Sequence, residues 1–190
     1  MDYYLEKIYL EQAQQEFNAC YAAIESFNLA IRENTNDDPF THAMTFVHRA
    51  AAASRIFWPP KGINKSSTER SQNRGKHLQN ALTINKDHPI FSRTLRDHFE
   101  HFDERLDAWA EESKNRNIIH RLVGPRSAIG GDGIADGDII LHFDPDTKVF
   151  AFRGQKFNLQ ELAHGIDDLN SKVQQRLNFI KIQHLNQHPE

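Results

Sequence analysis

The sequence predicts a mainly α fold, a helical bundle with a small antiparallel β element before a C-terminal helix. From about residue 2 to residue 112, apolar side chains recur every three or four positions, which is the spacing of amphipathic helices. From 117 to 154 the chain becomes glycine-rich, with short alternating segments typical of strands and turns. We therefore assign residues 1–116 to the bundle and residues 117–190 to the β element and the last helix. Both parts are expected to pack as one domain.

Composition limits the function classes. The chain of 190 residues is 38% hydrophobic and 26% charged, as expected for a globular protein with a core. Its net charge of -3 and pI near 6.4 argue against a broad basic surface for nucleic acid, but they leave room for a local basic site. The single cysteine, Cys20, lies among apolar residues, which indicates a packing role and a reducing compartment. With no apolar run of signal or membrane-spanning length, we expect a cytoplasmic protein without a membrane partner.

The first helix is predicted to be long, because its apolar residues keep a mostly helical period until residues 34–39 end it. These residues are Leu5, Ile8, Phe17, Tyr21, Ile24, Phe27 and Ile31. A second helix follows, with Asp38 as N-cap and Pro39 at its first position, and the tryptophan and two prolines at 58–60 stop it. Its alanine run, Ala50 to Ala53, permits close packing with a neighbouring helix.

A third helix is predicted with Ser67 or Thr68 as its cap and an end near Ile84. Four basic residues lie along it: Arg70, Arg74, Lys76 and His77. They form either a solvated face, which we favour, or a phosphate-facing patch.

The fourth helix follows residues 87–89, and its apolar stripe is interpreted as the seam that packs into the core. The stripe consists of Leu95, Phe99, Phe102, Leu106 and Trp109.

The C-terminal part has the pattern of strands and one helix. Residues 118–123 form a predicted strand, and residues 138–143 and 149–153 form a hairpin closed by a turn at 144–147. Asn158 is the predicted cap of the last helix, with Glu161 at the capping-box position. The buried face of that helix is predicted from Leu159, Leu162, Ile166, Leu169, Val173, Leu177 and Ile180.

A glycine-rich segment, 130–133, precedes the hairpin. It lacks the lysine and hydroxyl residue of a phosphate loop and the closing glutamate of a calcium loop. We interpret it as a mobile connection.

The chemistry-bearing stretch runs from Arg96 to His101 on the fourth helix. It places a permanent cation, a carboxylate and an imidazole within two turns. On a helical wheel, Asp97, His98 and His101 lie on one flank with Arg105, whereas Arg96 lies on the opposite flank. Asp97 is four residues before His101, so the carboxylate is predicted to hydrogen-bond the imidazole. Arg96 and His101 converge on one phosphate only if the helix is irregular, or if a second protomer supplies the missing group.

Metal binding is the alternative use of these histidines. His98, His101 and Glu104 are spaced three residues apart. At that spacing each side chain points about 60° away from the previous one around the helix axis, so the three side chains diverge. No Glu-x-x-His motif on another helix completes a bundle site. We predict no metal and no cofactor. The other nine histidines, His48 among them, carry no ligand pattern and are interpreted as surface or boundary residues.

The spacing of Arg96, four residues and His101, with the polar Asp97 directly after the arginine, resembles the signature of the HEPN superfamily (higher eukaryotes and prokaryotes nucleotide-binding). The resemblance implies a compact bundle of four or five helices, often dimeric, and a metal-independent endoribonuclease of toxin, antiviral-defence or RNA-processing systems. It covers about residues 2–112. The β element at 117–154 lies outside it.

The resemblance also implies roles for the residues of the motif. His101 is expected to act as acid or base, Arg96 to clamp the phosphate, and Asp97 to orient His101 or pair with Arg96. His98 and Arg105 are candidates for substrate binding, and otherwise a boundary histidine and a surface ion pair. The expected partners are a second copy of the chain, RNA, and an antitoxin or other protein. The alternative is a catalytically silent helical module that binds a protein partner or a nucleotide.

Overall fold

The computed structural model describes residues 1–33, 37–130 and 133–187, with side chains as far as 183. Within these residues the α-helices are α1 Tyr3–Glu33, α2 Pro39–Phe57, α3 Lys65–Ala81, α4 Thr94–Glu100, α5 Phe102–Glu112 and α6 Leu159–Gln187. The strands are β1 Ile119–Val123, β2 Ile139–Asp144, β3 Val149–Phe152 and β4 Gln155–Phe157. The prediction of a mainly helical protein with a small sheet before a C-terminal helix is confirmed.

Helix α1 buries a different stripe at its start than the sequence predicted. Leu5 and Ile8 are exposed, whereas Glu6 and Leu10 face the interior. The buried residues keep a helical period: Glu6, Leu10, Ala13, Phe17 and Cys20. Leu5 and Ile8 fall beside this stripe because each residue turns the helix by about 100°. The expected packing role of Cys20 agrees with its full burial, which raises the pKa of its thiol to about 12.

The start of α2 is capped as predicted. The Asp38 carboxylate accepts a hydrogen bond from the Phe40 backbone N–H at 3.2 Å and another from the Thr41 hydroxyl at 2.9 Å. Arg121 of β1 pairs with the same carboxylate at 2.5 Å. Asp38 therefore both begins α2 and ties the sheet to it.

Asp38→Ala is expected to lower the free energy of unfolding by about 1 kcal/mol, because an orphan N–H at the start of α2 loses its acceptor. Urea unfolding measures the change. Asp38→Asn keeps a capping oxygen and should retain most of the stability. Equal losses of stability in both variants would show that the ion pair with Arg121 is responsible, and would contradict the capping role.

The cap of α3 was predicted wrongly. Asn64 is the N-cap: its side chain accepts from Ser67 N–H at 2.9 Å, and the Ser67 hydroxyl accepts from Asn64 N–H at 3.1 Å. Ser67 is therefore the inner member of a capping box. The helix ends at Ala81, earlier than the predicted Ile84.

Two of the basic residues on α3 turn inward and form neither a solvated face nor a phosphate patch. Arg74 donates to the carbonyls of Ile56 and Arg55 and lies 4.8 Å over the Tyr9 ring. His77 pairs with Glu6 of α1. Both side chains hold α3 against the helices before it.

The predicted fourth helix is bent into α4 and α5 at His101, whose φ of -108° and ψ of 38° leave the helical range. The predicted apolar seam continues across the bend for four of its five residues: Leu95 and Phe99 are buried, and Phe102 and Leu106 pack against the core. The fifth, Trp109, lies outside that core cluster, and its indole N–H donates to Asp138 at 2.9 Å. Phe99 and Phe102 both contact the Phe152 ring, at centroid distances of 6.0 and 6.2 Å.

The sheet has the order β1-β2-β3-β4 and is mixed, so the prediction of an antiparallel element is wrong for its first strand. β1 runs parallel to β2, with Ile119 opposite Ile139. Because β1 and β2 are parallel, they are not the two arms of a hairpin, and parallel strands need a crossover connection between them. Of the predicted mobile connection at 130–133, Gly131 and Asp132 lie outside the described residues.

The predicted hairpin is confirmed as β2 and β3, and β4 is an additional strand that was not predicted. Arg153 and Gly154, with φ of 46° and 80°, form the two-residue turn that brings β4 back. One buried cluster joins the bundle to the sheet, with Phe150 and Phe152 of β3 among its members.

Helix α6 begins as predicted, because the Asn158 side chain accepts a hydrogen bond from the Glu161 N–H at 2.9 Å. All seven residues of the predicted face belong to the core or pack against it, with Ile166, Leu169 and Val173 fully buried. Among the described helices, none is long and apolar enough to cross a membrane.

Candidate functional site

Arg96 lies in the middle of α4, on the side that faces α2. Its side chain is 16% exposed and donates to Asp97 Oδ1 at 2.9 Å, and its other terminal nitrogen pairs with Glu100. Two carboxylates therefore hold the guanidinium in place. Asp97 takes the second of its two expected roles, pairing with Arg96.

A cleft of about 210 Å³ separates α2 from α4, and Arg96 forms part of its wall. Its lining residues come from two helices: His48, Ala51, Ala52 and Arg55 on α2, and Arg96, Phe99 and Glu100 on α4. Each set follows the spacing that places residues on one helical face. The alanine run of α2 was predicted to permit close packing. Two of its members, Ala51 and Ala52, instead line this space, together with polar residues of both helices.

His48 contributes an imidazole to this cleft. Its ring meets the Phe99 ring edge-on, with centroids 6.1 Å apart. The pKa of His48 lies below its ordinary value of 6.5, chiefly because partial desolvation disfavours the cation; the Glu100 carboxylate opposes this shift and the Arg96 charge adds to it. His48 is consequently neutral at neutral pH and able to accept a proton.

His101 lies at the junction of α4 and α5, next to the cleft residue Glu100. Its side chain is 52% exposed, and Nδ1 lies 3.2 Å from Glu104 Oε1. The expected hydrogen bond from the His101 imidazole to the Asp97 carboxylate is not among the contacts of the described residues, because Asp97 pairs with Arg96. Arg96 and His101 likewise do not touch in the described structure.

His98 faces the sheet. Its ring stacks on Phe152 at 5.1 Å, and Nε2 lies 2.9 Å from Gln155 Oε1. Arg105 is held nearby through its carbonyl, which accepts from Arg153 at 2.9 Å. The structure therefore does not bring His98 to Arg96, and its position fits a boundary histidine.

The structure does not bring His98, His101 and Glu104 together as a metal site. His98 contacts β3 and β4, whereas His101 pairs with Glu104 at the exposed helix junction. Within the described part of the chain, no group of three or more histidine, cysteine or acidic side chains is arranged to hold a metal ion.

A second concave space, of about 290 Å³, lies between α1, α2, α6 and the hairpin. Its walls are mostly apolar, and Lys148 is the one charged side chain among its described lining residues. It has no acid and base partners for catalysis, so the cleft at Arg96 is the better candidate site.

His48 and Arg55 of the cleft were not predicted as site residues from the sequence. The available signal was the spacing of 48, 51, 52 and 55, which places two polar residues and two alanines on one helical face. Nothing local to that segment shows that this face lies opposite Arg96.

No family model, curated protein or solved structure matches this chain. What the fold defines is a mainly helical protein with a four-stranded sheet before its last helix. Its function is therefore argued from the cleft and the residues around it.

Proposed function

We propose that this protein is a HEPN-like, metal-independent endoribonuclease of the kind found in toxin and defence systems, acting in the cytoplasm as a homodimer. The observation that carries the proposal is the position of Arg96 at the wall of an open cleft, between two carboxylates. A guanidinium fork binds phosphate with two parallel hydrogen bonds, and an RNA phosphate would replace Asp97 and Glu100 as its partner.

The bend at His101 supports the pairing of this histidine with Arg96. On a straight helix the two side chains diverge, so they meet at one phosphate only if the helix is irregular or a second protomer supplies the missing group. The chain leaves helical geometry at His101 itself, which directly follows the cleft residue Glu100. His101 would then protonate the oxygen that leaves when the 2′-hydroxyl attacks phosphorus.

Arg96→Ala is expected to reduce cleavage of a mixed RNA pool in EDTA by about 10²-fold, because the charge that builds on phosphorus loses its preorganised cation. Products of the wild type should end in 2′,3′-cyclic phosphate. Arg96→Lys keeps the charge but not the fork, and should recover only part of the activity.

Arg32→Ala is the matched control, because Arg32 is an exposed helical arginine that pairs only with its neighbour Glu33 among the described residues. It should cleave like the wild type. Cleavage by Arg96→Ala at the wild-type rate, with both proteins folded by circular dichroism, would remove Arg96 from the reaction.

The second candidate is a catalytically silent helical module that binds a protein partner or a nucleotide. The double pairing of Arg96 with Asp97 and Glu100 favours it, because a neutralised arginine also serves as a structural clamp. A folded wild type that leaves every RNA intact in this assay would select the silent module.

A further inference from the structure

We infer that the cleft is a two-sided phosphodiester site in which Arg55 and Arg96 grip the phosphate from opposite helices and His48 accepts the proton of the attacking 2′-hydroxyl. This inference rests on the proposed ribonuclease function and adds to it the α2 residues that the HEPN-like motif does not contain.

The first support is geometric. His48 and Arg55 are seven residues apart, two turns along one face of α2, and the two alanines between them lower that face into a trough. Across the trough, Arg96 and Glu100 are one turn apart on α4. An RNA backbone bound along this trough would therefore lie between Arg55 and Arg96, with the His48 imidazole at one end.

The second support is the charge of the cleft. Arg55 makes no side-chain ion pair with the described residues, although Arg49 on the same helix pairs with Glu16. Its backbone is fixed, because Arg74 of α3 donates to the Arg55 carbonyl. Asp97 and Glu100 both pair with Arg96, so Arg55 is the arginine of the cleft whose charge no described carboxylate partner offsets, and a phosphate would supply that partner.

The chemistry needs no external reagent. Neutral His48 takes the proton from the 2′-hydroxyl, the 2′-oxygen bonds to phosphorus, and the bond from phosphorus to the 5′-oxygen breaks. His101 gives its proton to that 5′-oxygen, so the products are a 2′,3′-cyclic phosphate and a 5′-hydroxyl. The charged groups that act on His48 are Glu100 and Arg96, Arg55 lines the same cleft two turns along α2, and the phosphate would add an anion to this set.

Binding is tested separately from cleavage with a 2′-O-methyl RNA dinucleotide, which has a phosphodiester but no attacking hydroxyl. Imidazole resonances of the wild type are followed by NMR, with His48 assigned from His48→Ala. The dinucleotide should shift the His48 resonances, and Arg55→Gln should weaken its binding by about 10-fold, in line with a charge-assisted hydrogen bond. Arg49→Gln, a second exposed arginine of α2, should bind like the wild type.

Cleavage tests the proton transfer. His48→Ala should cut RNA about 10²-fold more slowly than the wild type, and should lose the limb of the pH profile on which the wild-type rate rises as His48 becomes neutral. A structural role for His48 would lower the rate without removing that limb.

The outcomes separate the two proposals. RNA cleavage with unmoved His48 resonances, or with an unchanged His48→Ala profile, overturns the inference and leaves the proposed function standing. Dinucleotide binding at His48 without any RNA cleavage supports the phosphate site and overturns both the proton transfer and the nuclease. Neither binding nor cleavage overturns the cleft site and the proposed function together.

Discussion

His101→Ala is expected to lower metal-free RNA cleavage by about 10²- to 10⁴-fold, which is the range that a positioned general acid or base contributes. The side chain is half exposed at the junction of α4 and α5, and its one described polar partner is Glu104. Its removal leaves the apolar seam untouched, so the loss should be catalytic and not a loss of folding. The measurement is the initial rate of RNA cleavage in EDTA.

His164→Ala is the matched control, because His164 is an exposed histidine on α6 that has no hydrogen bond or ion pair with the described residues. It should leave the rate unchanged. Full activity of His101→Ala alongside inactive Arg96→Ala would show that a group other than His101 supplies the acid. A folded but inactive wild type would instead favour the silent helical module.

The elements predicted best were those specified by neighbouring residues. Asp38 followed by Pro39 gives a cap and a preset first turn for α2, and Asn158 caps α6 by accepting from the Glu161 N–H. The error at α3 is also local, because Asn64 and Ser67 are two members of one capping box and the sequence does not mark which of them is outside the helix.

The elements predicted worst depend on distant partners. The bend at His101 has no proline or glycine to mark it, and it accompanies the contacts that Phe99 and Phe102 make with Phe152, some fifty residues later. The parallel pairing of β1 with β2 is equally non-local. Short strands such as β4 carry too few residues to show an alternating pattern.

Only the part of the candidate site that lies within one segment of the chain could be predicted from the sequence. Arg96 and Asp97 belong to a short motif within one segment of the sequence. Their ion pair was one of the two roles expected for Asp97. His48 and Arg55 join them only because α2 and α4 pack side by side, some forty residues apart in the chain. A lone histidine on an amphipathic helix gives no sign of this neighbour.

A buried ion pair joins the first and last helices. Glu6 of α1 has a side chain only 1% exposed, and both of its oxygens accept from Arg176 of α6, at 2.5 and 3.2 Å. His77 of α3 lies 2.9 Å from the same carboxylate. The Arg176 guanidinium also lies over the Phe179 ring at 4.9 Å. Three helices therefore meet at one carboxylate.

Arg176→Met is expected to lower the free energy of unfolding by about 3 to 5 kcal/mol, because it leaves a buried carboxylate without its main partner. Urea unfolding measures the loss. The double variant Glu6→Leu/Arg176→Leu removes both charges and should recover most of it, since a buried pair replaced by apolar residues is often neutral. Glu11→Gln, on the exposed side of α1, is the control and should cost little. A double variant as unstable as Arg176→Met would contradict the buried-charge account.

The lowered pKa of Glu6 also predicts how the free energy of unfolding depends on pH. Burial alone would raise the pKa of Glu6, but Arg176 and His77 more than offset it and hold the pKa below its ordinary value of 4.5. In the wild type this stabilisation is present above pH 4.5 and is lost as the pH falls through the lowered pKa. In Arg176→Met the burial effect loses its main opponent, so the pKa of Glu6 rises and the folded state binds the extra proton. The stability of that variant should therefore fall as the pH rises above 4.5, where the contribution of Glu6 to wild-type stability is constant. A parallel pH profile for the two proteins would show that Glu6 stays ionised without Arg176, which would make His77 or solvent the group that holds its charge.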